Sequence, residues 1–522
     1  MSRILLVLMP VMMICLLGAT VYTVPGSFGS IQAALDVCVS GDTVRVAPGV
    51  YYESLVWPSV DGISLIGNEQ RENTIIDAGG LDRVLTFAPD LQAGNVTADT
   101  YVKNFTFQRG YSTQPGAGVY CYYASPTIEN CFISFNTTTD DPTGSGGGLY
   151  CYNSSPHLIN VVIAYNTAYS GGGAHIDALS SPVFENCVIA DNGLNFPGGS
   201  FAAGIYGRYE AYFTLDRCTI ARNRGYDNAA IHLGEVSNPT ITHCTITDNH
   251  TGIRMTSNSG VELHDSNIID NSEAGVYNIS SNNAFVTSNY WGSSTGPEYI
   301  NNPGGTGDHI FGPANFNPWL STYDMLSPLV PPVDLQAAMV GDHTIQLSWV
   351  DTQLPPTYQY EINYGLDSLL VIQPFTQYSL TNDTILAGLI SNRDYYIQVC
   401  VQVFEGDKSW YSQRVKVRTS GVSNDDPASV PAAPLLVCGP NPFREKLSIQ
   451  YEAKGSGLLE LSVYDIRGRL VRSLVSSDHT AGMFQSVWNG CDAAGRQVPT
   501  GVYILRLRQG RLTANGKLTL IR

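Results

Sequence analysis

His175, Asp177, Tyr206, Arg208 and His232 are the residues of this 522-residue chain whose types and spacing could do chemistry. Between them they offer a base, an acid and a cation able to neutralise a carboxylate. That is the set needed for proton abstraction beside a sugar carboxylate followed by elimination, the chemistry of a uronide lyase. They fall at equivalent places in segments that look alike. "GGGLYCYNSSPHLINVVIAYN" (146 to 166) follows "GAGVYCYYASPTIENCFISFN" and precedes "GGGAHIDALSSPVFENCVIADN", "AAGIYGRYEAYFTLDRCTIARN", "NAAIHLGEVSNPTITHCTITDN" and "HTGIRMTSNSGVELHDSNIIDN".

The segments close on Asn136, Asn166, Asn192, Asn223, Asn249 and Asn271, spaced 30, 26, 31, 26 and 22 residues apart. So uneven a period tolerates insertion at one point per unit, which favours a solenoid over a bundle of fixed lengths. Each unit carries three short stretches of period 2 separated by turn residues, and no convincing helix. The expected fold is all-β, a parallel β-helix of three strands and three corners per coil. The asparagine suits a corner that needs φ > 0 and can pass amide hydrogen bonds from coil to coil. Gly118, Gly148, Gly173, Gly204, Gly252 and Gly275 serve another corner, with Ala229 or Ala230 standing in once.

Period 2 sorts the faces of the glycine-led strands. Val119, Cys121, Leu149, Cys151, Ala174, Ile176, Ile205, Gly207, Ile231, Leu233, Ile253 and Met255 point inward. Tyr120, Tyr122, Tyr150, Tyr152, His175, Asp177, Tyr206, Arg208, His232, Arg254 and Tyr277 point outward and form one lane across seven coils. Tyr120, Tyr122, Tyr150, Tyr152, His175, Tyr206 and His232 are the expected ligand-binding residues, because aromatic faces stack on sugars and their polar tips hydrogen-bond. The same tyrosines could instead be a ladder that stabilises the sheet. A glycosidase needs two facing carboxylates; the lane offers Asp177, with Glu210 and Glu235 near its edge.

Charge and composition narrow the partners. The net charge is −17 with only 14% charged residues, and Gly (51) and Tyr (30) are abundant, a balance that disfavours nucleic acid. The opening "MSRILLVLMPVMMICLLGAT" reads as a secretory signal over residues 1 to 20. The 11 cysteines lack metal-site spacing. Cys131, Cys187, Cys218 and Cys244 share one column of the repeat and Cys121 and Cys151 another. Stacked strands hold equivalent Cβ atoms about 4.8 Å apart, wider than the ~3.8 Å of a disulfide, so free buried thiols are expected. No metal site is assigned; Ca2+ at "TDDPTG" (139 to 144) competes with a turn that is merely solvated.

"SIQAALDVCVSGDTVRVAPGVYYESLVW", in which Ile31, Ala34, Leu35 and Cys38 form one face of a capping helix, together with "ISLIGNEQRENTIIDAGG", resembles the opening of the pectin-lyase-like superfamily. "SNYWGSSTGPE" and "FNPWL" are similar to the terminal coil of secreted β-helix proteins of the periplasmic copper-site-loading and surface-repeat type. The resemblance covers residues 22 to 322 and implies a right-handed β-helix. It carries over no catalytic residue, since "GHG", "RIK", "WIDH", "RxPxxR", "QAVAL" and "GRPW" are all missing. After Ser327 to Pro332, residues 330 to 420 are spaced as a small sandwich with Trp349 as anchor. The Leu389 to Tyr395 spacing resembles the fibronectin type III tyrosine corner, in which Tyr395 bonds back to the chain.

Residues 432 to 522 resemble both the Ig-like domain of flagellar hook-capping proteins and the C-terminal sorting domain of type IX secretion, on Asn441-Pro442-Phe443, Val463-Tyr464-Asp465 with Gly468, Trp488 with Gly490, Gly501-Val502-Tyr503 and Lys517. This segment has 12 Lys and Arg against 6 Asp and Glu, a basic module on an acidic chain. The expected protein is secreted, at the cell surface or outer membrane of a Gram-negative bacterium, with extracellular polysaccharide and the secretion machinery as partners. The alternatives are a polysaccharide lyase or hydrolase, and a structural surface protein that binds no glycan.

Overall fold

Strands in this chain arise where one side of a short segment is apolar and the next segment repeats it. The computed structural model describes residues 19 to 520 except 89–95, 141, 195–201, 226–228, 342, 351–357, 368–369, 371–373, 404–407, 421–435, 440–442, 444–445, 454–455, 466–468, 481 and 511. The signal segment up to residue 18, Asp141 of the "TDDPTG" turn, Asn441, Pro442 and Gly468 lie outside the described residues. Two units divide the chain, Met1–Pro328 and Leu329–Arg522.

The first unit is a right-handed parallel β-helix whose long sheets hold 12, 11 and nine strands, with a fourth of four short strands. Coil stacks on coil in strict register. Ile128 pairs with Leu158, Leu158 with Phe184 and Phe184 with Leu215 in one sheet; Ile133, Ile163, Ile189, Ile220, Ile246 and Ile268 form a column in another. All of these are fully buried. The glycine-led strands Val119–Tyr122, Leu149–Tyr152, Ala174–Asp177, Ile205–Gly207, Ala229–Leu233, Thr251–Met255 and Ala274–Asn278 form the 11-stranded sheet with four others. The helix Ile31–Leu35 buries Ile31, Ala34 and Leu35, and Ser30 caps its N-terminus. No described helix is long and apolar enough to cross a membrane.

The recurrent asparagines form a continuous buried ladder. Asn136 Nδ2 donates to Asn166 Oδ1 at 3.0 Å, Asn166 to Asn192 at 3.1 Å, Asn192 to Asn223 at 3.0 Å, Asn223 to Asn249 at 3.5 Å and Asn249 to Asn271 at 3.1 Å. Asn271 Nδ2 ends the run on Asp308 Oδ2 at 2.8 Å. The left-handed corner residue is the one before each asparagine: Phe135, Tyr165, Asp191, Arg222, Asp248 and Asp270 all have φ between 51° and 61°. The expectation of φ > 0 at the asparagine itself is thereby corrected. That residue must aim its amide into the coil, and the preceding one turns the chain.

The repeated glycines answer to the same ladder. A Cβ on Gly118, Gly148 or Gly173 would lie 2.8, 2.9 and 2.9 Å from the Nδ2 of Asn136, Asn166 and Asn192, and 2.4 to 2.7 Å from the carbonyl of the next coil. These glycines have no left-handed φ, so close approach, and not a turn, excludes a side chain there. The cysteine columns are free thiols, fully buried. Burial pushes the Cys131 thiol up to about 12, and the Cys187 and Cys218 backbone amides donate to the sulfurs of Cys218 and Cys244, each at 3.4 Å.

In the second unit a three- and a four-stranded sheet enclose Trp349, Tyr360, Ile362 and Tyr395. The Ile390 amide donates to Tyr395 Oη at 3.0 Å, the back-bond expected of a tyrosine corner. A further three- and four-stranded pair encloses Phe443, Trp488 and Tyr503.

Three outcomes follow from this architecture. Cys187, Cys218 and Cys244 should resist alkylation in the native protein and all react after unfolding, as peptide mass mapping will read; a disulfide among them would contradict the register. Asn192→Ala deprives the Asn166 amide of its acceptor and should cost about 1–3 kcal/mol in denaturant titrations. Burial raises the Asp308 carboxyl to about 7, above the ~3.9 of an unfolded aspartate. Its contribution to stability is full below pH ~4 and is lost as the pH rises through about 7. Asp308→Asn should therefore raise the melting temperature more at pH 8 than at pH 5.

Candidate functional site

The outward row of the glycine-led sheet is in register through its length. Tyr120 pairs with Tyr150, Tyr150 with His175, His175 with Tyr206, Tyr206 with His232, His232 with Arg254 and Arg254 with Tyr277. The lane exists, but its middle is not a surface. Tyr150, His175, Tyr206 and His232, expected to present a binding surface, are buried, and so is Asp177, a candidate for catalysis. Two physical causes account for it.

The first is ring packing along the axis. Tyr120 stacks on Tyr150 with centroids 5.7 Å apart, Tyr150 packs on His175 at 5.3 Å, His175 on Tyr206 at 4.8 Å and Tyr206 on His232 at 5.4 Å. The aromatic faces are spent on one another. The second is the chain that precedes the strands. It turns back at Gly146 and Gly171 in the left-handed region, where a Cβ would lie 2.9 Å from Tyr150 Cβ and 3.0 Å from His175 Cβ.

Part of the proposed catalytic set is brought together. Asp177 Oδ2 accepts from Tyr150 Oη at 2.9 Å and from Arg208 Nη2 at 2.9 Å. His175 Nε2 stands 3.9 Å from the same oxygen, beyond hydrogen-bond reach, and its Nδ1 faces Ser170 Oγ at 3.3 Å. Arg208 lies 6.0 Å from the Tyr206 ring centroid and 4.9 Å from that of Tyr209. His232 sits on the far side of the Tyr206 ring with Nε2 3.2 Å from Thr256 Oγ1, away from the carboxylate.

Electrostatics decides what this group can do. Burial, reinforced by the Arg208 charge, lowers His175 to about 3, and burial with Arg254 lowers His232 to about 4. Both are neutral and weakly basic, poorly matched to a general base that should titrate near the working pH. Asp177 is held below the usual carboxylate range by Arg208, His175 and Tyr150 against the cost of burial. Burial drives the Tyr150 and Tyr206 phenols well above 10. The cluster is a fixed array of donors and acceptors, poorly suited to moving protons.

The accessible part of the lane is its rim. Tyr122 and Tyr152 are half-buried and stack at 5.3 Å, and Tyr123 packs edge-on to Tyr122 at 4.7 Å. Tyr120 is half-buried under the Arg83 guanidinium, 4.2 Å from its ring centroid. Tyr209 is 50% exposed. Tyr123 and Tyr209 were not singled out from the lane's alternation, whereas Glu235 was placed near its edge. Each has a left-handed φ, between 48° and 52°, at the corner that closes a lane strand. Their common position just after the period-2 run was the available signal.

Residues 92 to 200 and 148 to 306 match the family described as right handed beta helix region, and residues 444 to 511 match the FlgD Ig-like domain. No curated protein matches the chain. Among solved structures, the FN5 domain of Drosophila Lar is 26% identical over 18% of this chain and 100% of its own, with a TM-score of 0.15. A segment of two fibronectin type III domains from chicken tenascin is 15% identical over 36% of this chain and 99% of its own, with a TM-score of 0.14. The chain is thus similar to known families segment by segment: a right-handed β-helix region and, near its C-terminus, an Ig-like domain.

Proposed function

We propose that this protein binds an extracellular polysaccharide along the rim of the glycine-led sheet, and that it is exported to the surface of a Gram-negative cell through its C-terminal module. The observation that carries the binding reading is the cluster of half-buried Tyr122, Tyr123 and Tyr152 one rung from the Asp177–Arg208 pair. Aromatic edges and hydroxyls beside a fixed acceptor and donor are what a sugar chain running across coils meets. The charge contrast between the basic C-terminal segment and the acidic whole supports a tail read by separate machinery. Cleavage of the same polymer is the second reading. It draws on Asp177 and Glu235 as two carboxylates on one side of the sheet, and it predicts new reducing ends when polymer and protein are incubated.

Tyr122→Ala, Tyr152→Ala and Tyr209→Ala should each weaken binding by about 0.5–1.5 kcal/mol, whereas Thr240→Ala, exposed on another sheet, should not. Affinity electrophoresis with melting curves checks this, and equal binding by all four variants would refute the rim. Tyr150→Ala, by contrast, should lower the melting temperature, because it removes a buried ring and a partner of Asp177. Deleting residues 432 to 522 should leave a folded β-helix that accumulates in the periplasm of the native host; normal surface delivery of the truncated chain would refute the sorting role.

A further inference from the structure

The unpartnered polar atoms on the lane specify a class of sugar. Asp177 Oδ1, His175 Nε2, Arg208 Nε and Glu235 Oε2 are all buried and make no hydrogen bond. His175 is fully buried and the Asp177 side chain is 5% exposed. The four atoms come from three successive rungs: the strand Ala174–Asp177, the residue after Ile205–Gly207, and the corner after Ala229–Leu233. Rungs are about 4.8 Å apart, so the group extends over roughly one sugar ring and its neighbour. A buried polar atom without a partner bears the full loss of its hydration. Three of them gather round Asp177 and the fourth, on Glu235, lies on the next rung beside Tyr206, which sets the lane apart from the asparagine ladder, where successive amides partner one another.

The donor and acceptor pattern is selective. Two of the atoms belong to carboxylates and only accept. Arg208 Nε–H only donates. The neutral imidazole Nε2 takes either role, according to its tautomer. A sugar hydroxyl donates and accepts at once, so neighbouring hydroxyls can satisfy a carboxylate and a guanidinium together. A uronate carboxylate only accepts. It would face two carboxylates, and the guanidinium beside it is already committed to Asp177 through Nη2. Like charges so placed disfavour an anion.

Resting on the reading that this face binds polysaccharide, we infer that its ligand is a neutral glycan with free adjacent hydroxyls, and that Asp177, Arg208 and Glu235 select it against uronic-acid polymers. Tyr152, paired in register with Asp177, supplies the neighbouring contact along the chain. Arg208, with a third of its side chain exposed, and Tyr209 border the route in.

The test uses the full exported chain and isothermal titration with hexasaccharides of neutral glucan, galactan and mannan, and with polygalacturonate and alginate oligomers of the same length. At least one neutral series should bind and the uronates should not. Asp177→Asn and Glu235→Gln should each weaken that binding about tenfold or more, as expected where a site built for hydroxyls loses its acceptor. Melting temperatures report folding. If Asp177→Asn does not fold, Glu235→Gln, at a half-buried corner, decides alone. Neutral binding unchanged in the variants, or uronates bound by the unaltered chain as well as the neutral oligomers, overturns the inference and leaves polysaccharide binding standing. No binding to any polymer overturns both.

Discussion

Everything in the β-helix is arranged around the buried asparagine ladder. An amide inside a coil must find a donor and an acceptor, and here each finds them in the amide of the next coil and in backbone groups of its own stack, as Asn166 Nδ2 does with Asn192 Oδ1 and the Ile133 carbonyl. At the spacing that strand pairing sets, that requirement fixes the rotamer of each asparagine. It also leaves no room for a Cβ on Gly118, Gly148 or Gly173, the glycines packed against Asn136, Asn166 and Asn192. The left-handed residue ahead of each asparagine is the geometric consequence. The run stops where Asp308 replaces the next amide, so the end of the ladder is a place where its stability is coupled to pH.

Strand pairing sets the spacing, and the lane shares it with the ladder. Rings repeated at about 4.8 Å stack on each other before they can stack on a ligand, which turns Tyr150, His175 and Tyr206 into interior residues of an outward-facing row. Asp177 enters the same interior and needs Arg208 and Tyr150 to offset its desolvation. The polar atoms left over are the reason to read a ligand into this face. The tyrosines on the rim are the reason to read an extended one.

Much of this was legible in the sequence. Period 2 and the recurring columns gave the inward row, the register and the free thiols at Cys187, Cys218 and Cys244, because alternation and stacking are local consequences of backbone geometry. The Tyr395 back-bond was implied by the resemblance of the Leu389 to Tyr395 segment to a fibronectin type III tyrosine corner. Two things were not legible. Alternation says which side of the sheet His175 is on, but not what chain will fold over it; that depends on turns such as Gly171, whose path no period encodes. The asparagine was placed at a left-handed corner because its type tolerates one, whereas the structure gives that conformation to Arg222 and Tyr165, which have no such preference. Tertiary demand for the amide overrode local propensity.

The uneven repeat length can now be assigned a cause. The stretch between ladder asparagine and lane glycine is 11 residues long from Asn136 to Gly148 and 11 again from Asn192 to Gly204, but two from Asn249 to Gly252 and three from Asn271 to Gly275. The rungs that follow the long stretches are Tyr150 and Tyr206, both buried; those that follow the short ones are Arg254 and Tyr277, both half-buried. Insertion at this corner leaves the ladder and its glycines untouched, because the extra chain leaves after the asparagine and returns before the glycine. The point that tolerates variation in length thus lies between the ladder and the lane, so the described coils differ in length while their packing stays the same.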